Sequence, residues 1–155
     1  MRMMILTLAT ALAIAPVTAA PAATSDQTDV MATVKQYLDY FNKGDAEKAA
    51  ALCASQPVII DDFPPHVWQG ATACSDWWNA LVAFDKNGGI TDEHVALGKR
   101  WHVVVTGDHA YVVVPATYTY KEKGKPVTES GAVWTLGLQK FAGGWRVSGW
   151  AWAQH

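Results

Sequence analysis

From Val30 the apolar residues fall at Val30, Val34, Tyr37, Leu38 and Phe41, the spacing of one face of an α-helix. Asp26 and Thr28 are candidate N-caps, and Gly44 stands where a glycine ends a helix. Asp45 then caps a second, alanine-rich helix over 46–54. A short strand over 57–61 is closed by Pro64-Pro65, and 66–70 returns beside it. A third helix over 71–86 carries Cys74, Trp77, Trp78, Leu81 and Phe84 on one side and stops at Asn87-Gly88-Gly89. The pattern then changes period. Residues 92–105 alternate imperfectly, 111–120 are rich in Val, Thr and Tyr, and 127–141 and 145–153 read as further strands. Thr106-Gly107-Asp108, Lys123-Gly124-Lys125 and Gly143-Gly144 supply the turns between them. A helical half followed by hairpin-linked strands predicts an α+β fold on an antiparallel sheet.

Composition narrows this to one globular domain. The chain has 155 residues, half of them hydrophobic, with eight tryptophans, which excludes intrinsic disorder. Twelve basic residues against fourteen acidic ones leave a net charge of −2, without the positive field that binds a phosphate backbone. No nucleic-acid partner is expected. Beyond the extreme N-terminus no apolar run is long enough to span a membrane.

The N-terminus has its own logic. Arg2 precedes an apolar run over 3–15, then Pro16 and small residues, which is the order of a secretory signal peptide. We read 1–20 as that peptide, cleaved within 19–23, and 26–155 as the mature domain, periplasmic or secreted. No cysteine follows closely enough for a lipid anchor. In an oxidising compartment Cys53 and Cys74, the only two cysteines, fit a disulfide, and they equally fit two buried thiols.

The order of elements resembles the nuclear transport factor 2-like superfamily, in its SnoaL-like and ketosteroid isomerase-like branches. The carriers are VKQYLDYFNKGDAEKAAALCA, VIIDD, VWQG and the closing WRVSGWAWA, together covering Asp26 to Ala153. The resemblance implies three N-terminal helices on a strongly curved, mainly antiparallel sheet, a cone-shaped half-barrel with an internal pocket. It also implies a tyrosine that donates to a substrate oxygen, falling on Tyr37, and a proton-shuttling aspartate on the first strand, falling on Asp61. A carboxylate in an apolar pocket gains basicity, and a buried hydroxyl can hold an enolate oxygen. The second oxyanion donor of the isomerases has no counterpart. The stretch 130–141 contains no carboxylate, and the aligned position falls near Gly137. Plainer roles fit as well: Tyr37 as a core residue bonded to backbone, and Asp61 or Asp62 as turn residues before Phe63-Pro64.

Of the histidines, His94 and His102 share strand parity but lie about 26 Å apart along an extended strand, too far to share a metal ion. No metal site or cofactor is expected. His102 remains a candidate acid or base by likeness to dehydratases of the superfamily. By the same likeness, Gly149 and Ala151 of the last strand face the pocket with Asp62, Trp77, Trp78 and Trp134. Trp150 and Trp152 then face outward and mark a homodimer interface through the sheet. The opposite orientation would set both indoles in the pocket. The favoured reading is an exported domain that binds a small, largely apolar molecule. The alternatives are a cofactor-independent acid–base enzyme of isomerase, dehydratase or cyclase type using Asp61 and Tyr37, and a dimeric interaction protein.

Overall fold

A computed structural model describes residues 24–99 and 101–154; the signal-peptide reading of 1–20 and its cleavage site lie outside them. Helix α1 spans Ser25–Asn42. Its cap is Thr24, two and four residues before the expected Asp26 and Thr28, because Gln27 three positions on returns a bond to the Thr24 backbone and completes a capping box. Val30, Met31, Val34 and Tyr37 form its buried face. After Gly44 in the left-handed region (φ +70°), the Asp45 carboxylate accepts from the Lys48 backbone and starts α2, Ala46–Ala51. That helix ends earlier than its alanine content predicts. Leu52 and Cys53 are drawn into the sheet, where the Val147 N–H donates to the Leu52 carbonyl at 2.8 Å. Helix α3, Ala73–Gly88, stops at Gly89 (φ +70°). Among the described residues no helix is long and apolar enough to cross a membrane.

Seven strands form one mixed, mostly antiparallel sheet: β1 Cys53–Ile60, β2 Val67–Gln69, β3 Ile90–Leu97, β4 His102–Thr106, β5 His109–Glu122, β6 Lys125–Phe141 and β7 Gly144–Ala153. The order is β2-β1-β7-β6-β5-β3, with β4 on the remaining part of β5, and only β1 and β7 run parallel. The single strand expected over 92–105 is therefore two. The break falls after Leu97 at Gly98, where an added Cβ would come within 3.1 Å of Pro115 and the amide bonds to the Pro115 carbonyl. Asn42 ties the helices to the β3 edge like a one-residue strand. Its side-chain amide donates to the Val95 carbonyl at 2.9 Å and accepts from the Val95 N–H at 2.8 Å.

Register shifts decide which side chains face the helices. On β7 the pairing steps from Leu138–Val147 to Gly137–Gly149, so Ser148 is an extra residue. Before this bulge Trp145 and Val147 point inward; after it Trp150 and Trp152 do. Asp92 (φ +58°) in β3 and Gly131 (φ +92°) in β6 play the same part opposite β5. The outward expectation for Trp150 and Trp152 is thus corrected. Cys53 and Cys74 form a disulfide (S–S 2.01 Å) that fastens the start of β1 to the first turn of α3.

Candidate functional site

Between the helices and the sheet lies an open cavity of about 430 Å³. Strand alternation explains the first wall. On β1, Pro57 and Ile59 are buried while Val58 and Ile60 are exposed, so Asp61 follows on the inward side just past the strand end. Its Oδ2 accepts from the Trp77 indole of α3 at 2.8 Å, and its Oδ1 accepts from the Asp62 N–H at 2.8 Å. Burial pushes the Asp61 carboxyl up to about 6, against the downward pull of the Trp77 bond.

Tyr37 of α1 reaches the same cavity. Its hydroxyl accepts from the Trp150 indole at 3.2 Å, and among the described residues its own proton has no acceptor. Burial is the main cause holding that hydroxyl protonated far above the ordinary tyrosine range. Trp77, Trp134 and Trp150 close the inner end. Trp77 meets Trp150 edge-on with centroids 4.9 Å apart, and Trp134 lies 6.1 Å from Trp150 and 5.8 Å from Tyr37. Aromatic walls of this kind offer large apolar contact at fixed geometry.

The other end is built by β3, β5, β6 and the residue after β7. Tyr118 donates to Glu93, Tyr120 donates to Glu129 at 2.8 Å, and Gln154 donates to the second Glu129 oxygen. Behind them on α3, Asp85 is buried and pushed up to about 7, first by burial and then by the neighbouring Glu93.

The sequence pattern of the SnoaL-like domain matches residues 34–148. The chain belongs to the SnoaL-like domain family. No curated protein matches it. Solved structures match this SnoaL-like chain in fold, at identities that carry fold alone. A nuclear transport factor 2-like superfamily protein from Salmonella enterica serovar Typhimurium matches with a TM-score of 0.70 at 14% identity, over 84% of this chain and 91% of that one. A ketosteroid isomerase-like protein from Erwinia carotovora gives 0.67 at 18%, over 84% and 96%. A nuclear transport factor 2-like protein with a cystatin-like fold from Novosphingobium aromaticivorans gives 0.67 at 18%, over 83% and 81%.

Of the residues singled out in the sequence, Tyr37, Asp61, Asp62, Trp77 and Trp134 line the cavity of the SnoaL-like domain. Four do not. His102 sits on β4 with its ring exposed beside Tyr111, because that edge strand turns its even positions away from the helices. Trp78 lies behind the wall, edge-on to Phe41 and Trp77. Gly149 and Ala151 face away from the cavity because Ser148 reverses the alternation, and a Cβ on Gly149 would come within 2.5 Å of the Val58 carbonyl oxygen of β1. Among the lining residues that sequence reasoning did not assign to the pocket are Trp150, Trp152, Tyr118, Tyr120, Glu93 and Glu129. The glycines beside the bulges, Gly149 and Gly131, were the available signals.

Proposed function

We propose that this SnoaL-like domain encloses one small organic molecule with a substantial apolar body. The observation that carries the reading is the cavity of about 430 Å³ walled by Trp77, Trp134, Trp150 and Tyr37. That volume is in the range of small-molecule sites, which combine apolar walls with a few convergent polar groups. Thermal melting and tryptophan fluorescence of the mature protein, against a panel of aromatic and alicyclic compounds, test it. Saturable stabilisation by at least one ring-containing compound, weakened at least tenfold by Trp134→Ala, is expected. A flat response across the panel overturns the reading.

One observation favours a second reading, acid–base turnover. Asp61 is raised toward neutrality and shares the cavity with a hydroxyl whose proton is uncommitted. Recovering every bound compound unchanged, from wild type and Asp61→Asn alike, would remove it.

The disulfide between Cys53 and Cys74 supports export to an oxidising compartment. A second copy on the outer sheet face belongs to the same proposal. Ile60 pairs across β1 and β2 with Val67, and both are about half exposed (47% and 49%). Val104 and Tyr111 form a like pair on β4 and β5. Sedimentation of wild type against Ile60→Asp tests it: a dimer in the first and a monomer in the second is the expected result.

A further inference from the structure

Every charged side chain that lines the cavity is acidic. Asp61, Asp62, Glu93, Glu122 and Glu129 reach it, and among the described lining residues there is no lysine, arginine or histidine. A chain of net charge −2 has no general need for such a bias.

The bias is concentrated at one end. Tyr118 lies in the fields of Glu93, Asp85 and Glu129, and Tyr120 in those of Glu129, Glu122 and Asp62. The two rings lie 4.9 Å apart, and Trp152 stands edge-on to Tyr118 at 6.3 Å. Both tyrosine hydroxyls are committed as donors to carboxylates, so these residues bring aromatic rings to the lining rather than free donors. Behind that end, outside the lining itself, Asp85 is nine-tenths buried, and its Oδ1 has no hydrogen-bond partner among the described residues. That end of the cavity is therefore lined by carboxylates and aromatic rings, and its tyrosine and glutamine donors are already committed to those carboxylates.

Such a place repels an anion, because the carboxylates that line it have no cationic partner among the lining residues. A metal ion does not fit it. Among the described residues no three histidine, cysteine, aspartate or glutamate side chains converge closely enough to hold one. A bulky organic cation does fit, because its diffuse charge interacts with aromatic faces and with carboxylates held several ångströms away.

We infer that the cavity selects an organic cation, an amine or quaternary ammonium head on an apolar body, with the head among Tyr118, Tyr120, Trp152 and the Glu93–Glu129 carboxylates and the body against Trp134 and Trp150. This rests on the enclosed-molecule reading above and adds the charge of the guest.

The experiment uses three probes of matched shape on the mature protein: benzyltrimethylammonium, its uncharged carbon isostere neopentylbenzene, and the anion 3-phenylpropionate. Affinities are read by tryptophan fluorescence and calorimetry at moderate salt. The cation is expected to bind about tenfold or more tighter than the isostere, with the anion weakest. Glu129→Gln is expected to remove most of that ratio while leaving isostere binding, which itself reports an intact fold. Should Glu129→Gln fail to fold, Glu93→Gln provides the same comparison. Equal affinity for cation and isostere overturns the charge assignment and leaves the enclosed-molecule reading standing. Binding of none of the three overturns both. Tighter binding of the anion reverses the inference outright.

Discussion

Asp61 allows the electrostatics of the cavity to be tested without any ligand. Its carboxyl is pushed from an ordinary 3.8 up to about 6, chiefly by burial. Between those two values the native chain holds a proton that the unfolded chain has released, so stability falls as pH rises through the window. The rise from 3.8 to about 6 corresponds to roughly 3 kcal/mol in favour of the protonated form, of which about 2 kcal/mol accrues between pH 4 and 7.5. Asp61→Asn has no such slope, whatever its constant offset from the altered bond to the Asp62 N–H. Urea denaturation of both chains across pH 4 to 7.5 isolates the effect, because the slope from Asp85 is common to both and cancels. The variant is expected to gain on the wild type by about 2 kcal/mol over that range. The Trp77 indole, bonded to Asp61 Oδ2, gives a second reading as a fluorescence transition near pH 6 that Asp61→Asn lacks. A variant-minus-wild-type difference that stays flat, or that falls as pH rises, would refute the reasoning that burial dominates at this carboxyl.

Three further outcomes follow from the packing. Asn42→Ala strips both partners from the Val95 backbone and is expected to cost about 2–3 kcal/mol in urea denaturation, with faster amide exchange at Val95. Gly149→Ala drives a Cβ to within 2.5 Å of the Val58 carbonyl oxygen and should destabilise by about 1–3 kcal/mol, whereas Ala151→Gly should not prise β1 from β7. Replacing both cysteines by serine opens a link between residues 21 apart in sequence and is expected to lower stability by roughly 3 kcal/mol; no loss would mean that the reduced chain is equally constrained.

The elements were largely legible because their signals are local. The periodicity from Val30 to Phe41, the Gly44-Asp45 junction and the glycine stops at Gly89 and Gly144 all act over one turn of chain. The pairing of Tyr37 with Asp61 in one cavity was legible only through likeness to known folds, since α1 and β1 are joined by nothing local. What escaped was the facing of side chains after a bulge. Alternation correctly puts Trp150 and Trp152 together, but one extra residue, Ser148, turns both from solvent to cavity. The same slip at Gly131 leaves Glu129 facing Tyr120 inside instead of pointing out. A period-2 pattern has no memory across an inserted residue, so the acidic end of the cavity was invisible until registers were known. His102 failed for a related reason: Gly98 splits the apparent long strand, and the β4 fragment pairs with a different part of β5 than β3 does.

The charge at that end also separates the two readings of Asp61. A base that draws a proton from carbon beside a carbonyl leaves an enolate, and the cavity must then accept a new negative charge. At an effective dielectric constant near 20, two like unit charges about 8 Å apart oppose each other by about 2 kcal/mol, which sets the scale for a carboxylate of this cavity acting on such a charge. Tyr37 supplies one donor against this, and the stretch 130–141 contains no carboxyl to supply a second. The same carboxylates stabilise a guest that arrives positive or becomes so. If Asp61 does transfer a proton, the step favoured here is one in which positive charge develops beside it, as when an amine-bearing guest is protonated or held as its ammonium form. The isomerase-type step, by contrast, would run against the field. Ranking wild-type rates on an activated ketone and on its amine-bearing analogue would expose this sign: turnover of the plain ketone that is insensitive to Glu93→Gln and Glu129→Gln would show that the acidic end does not act on the chemistry at Asp61.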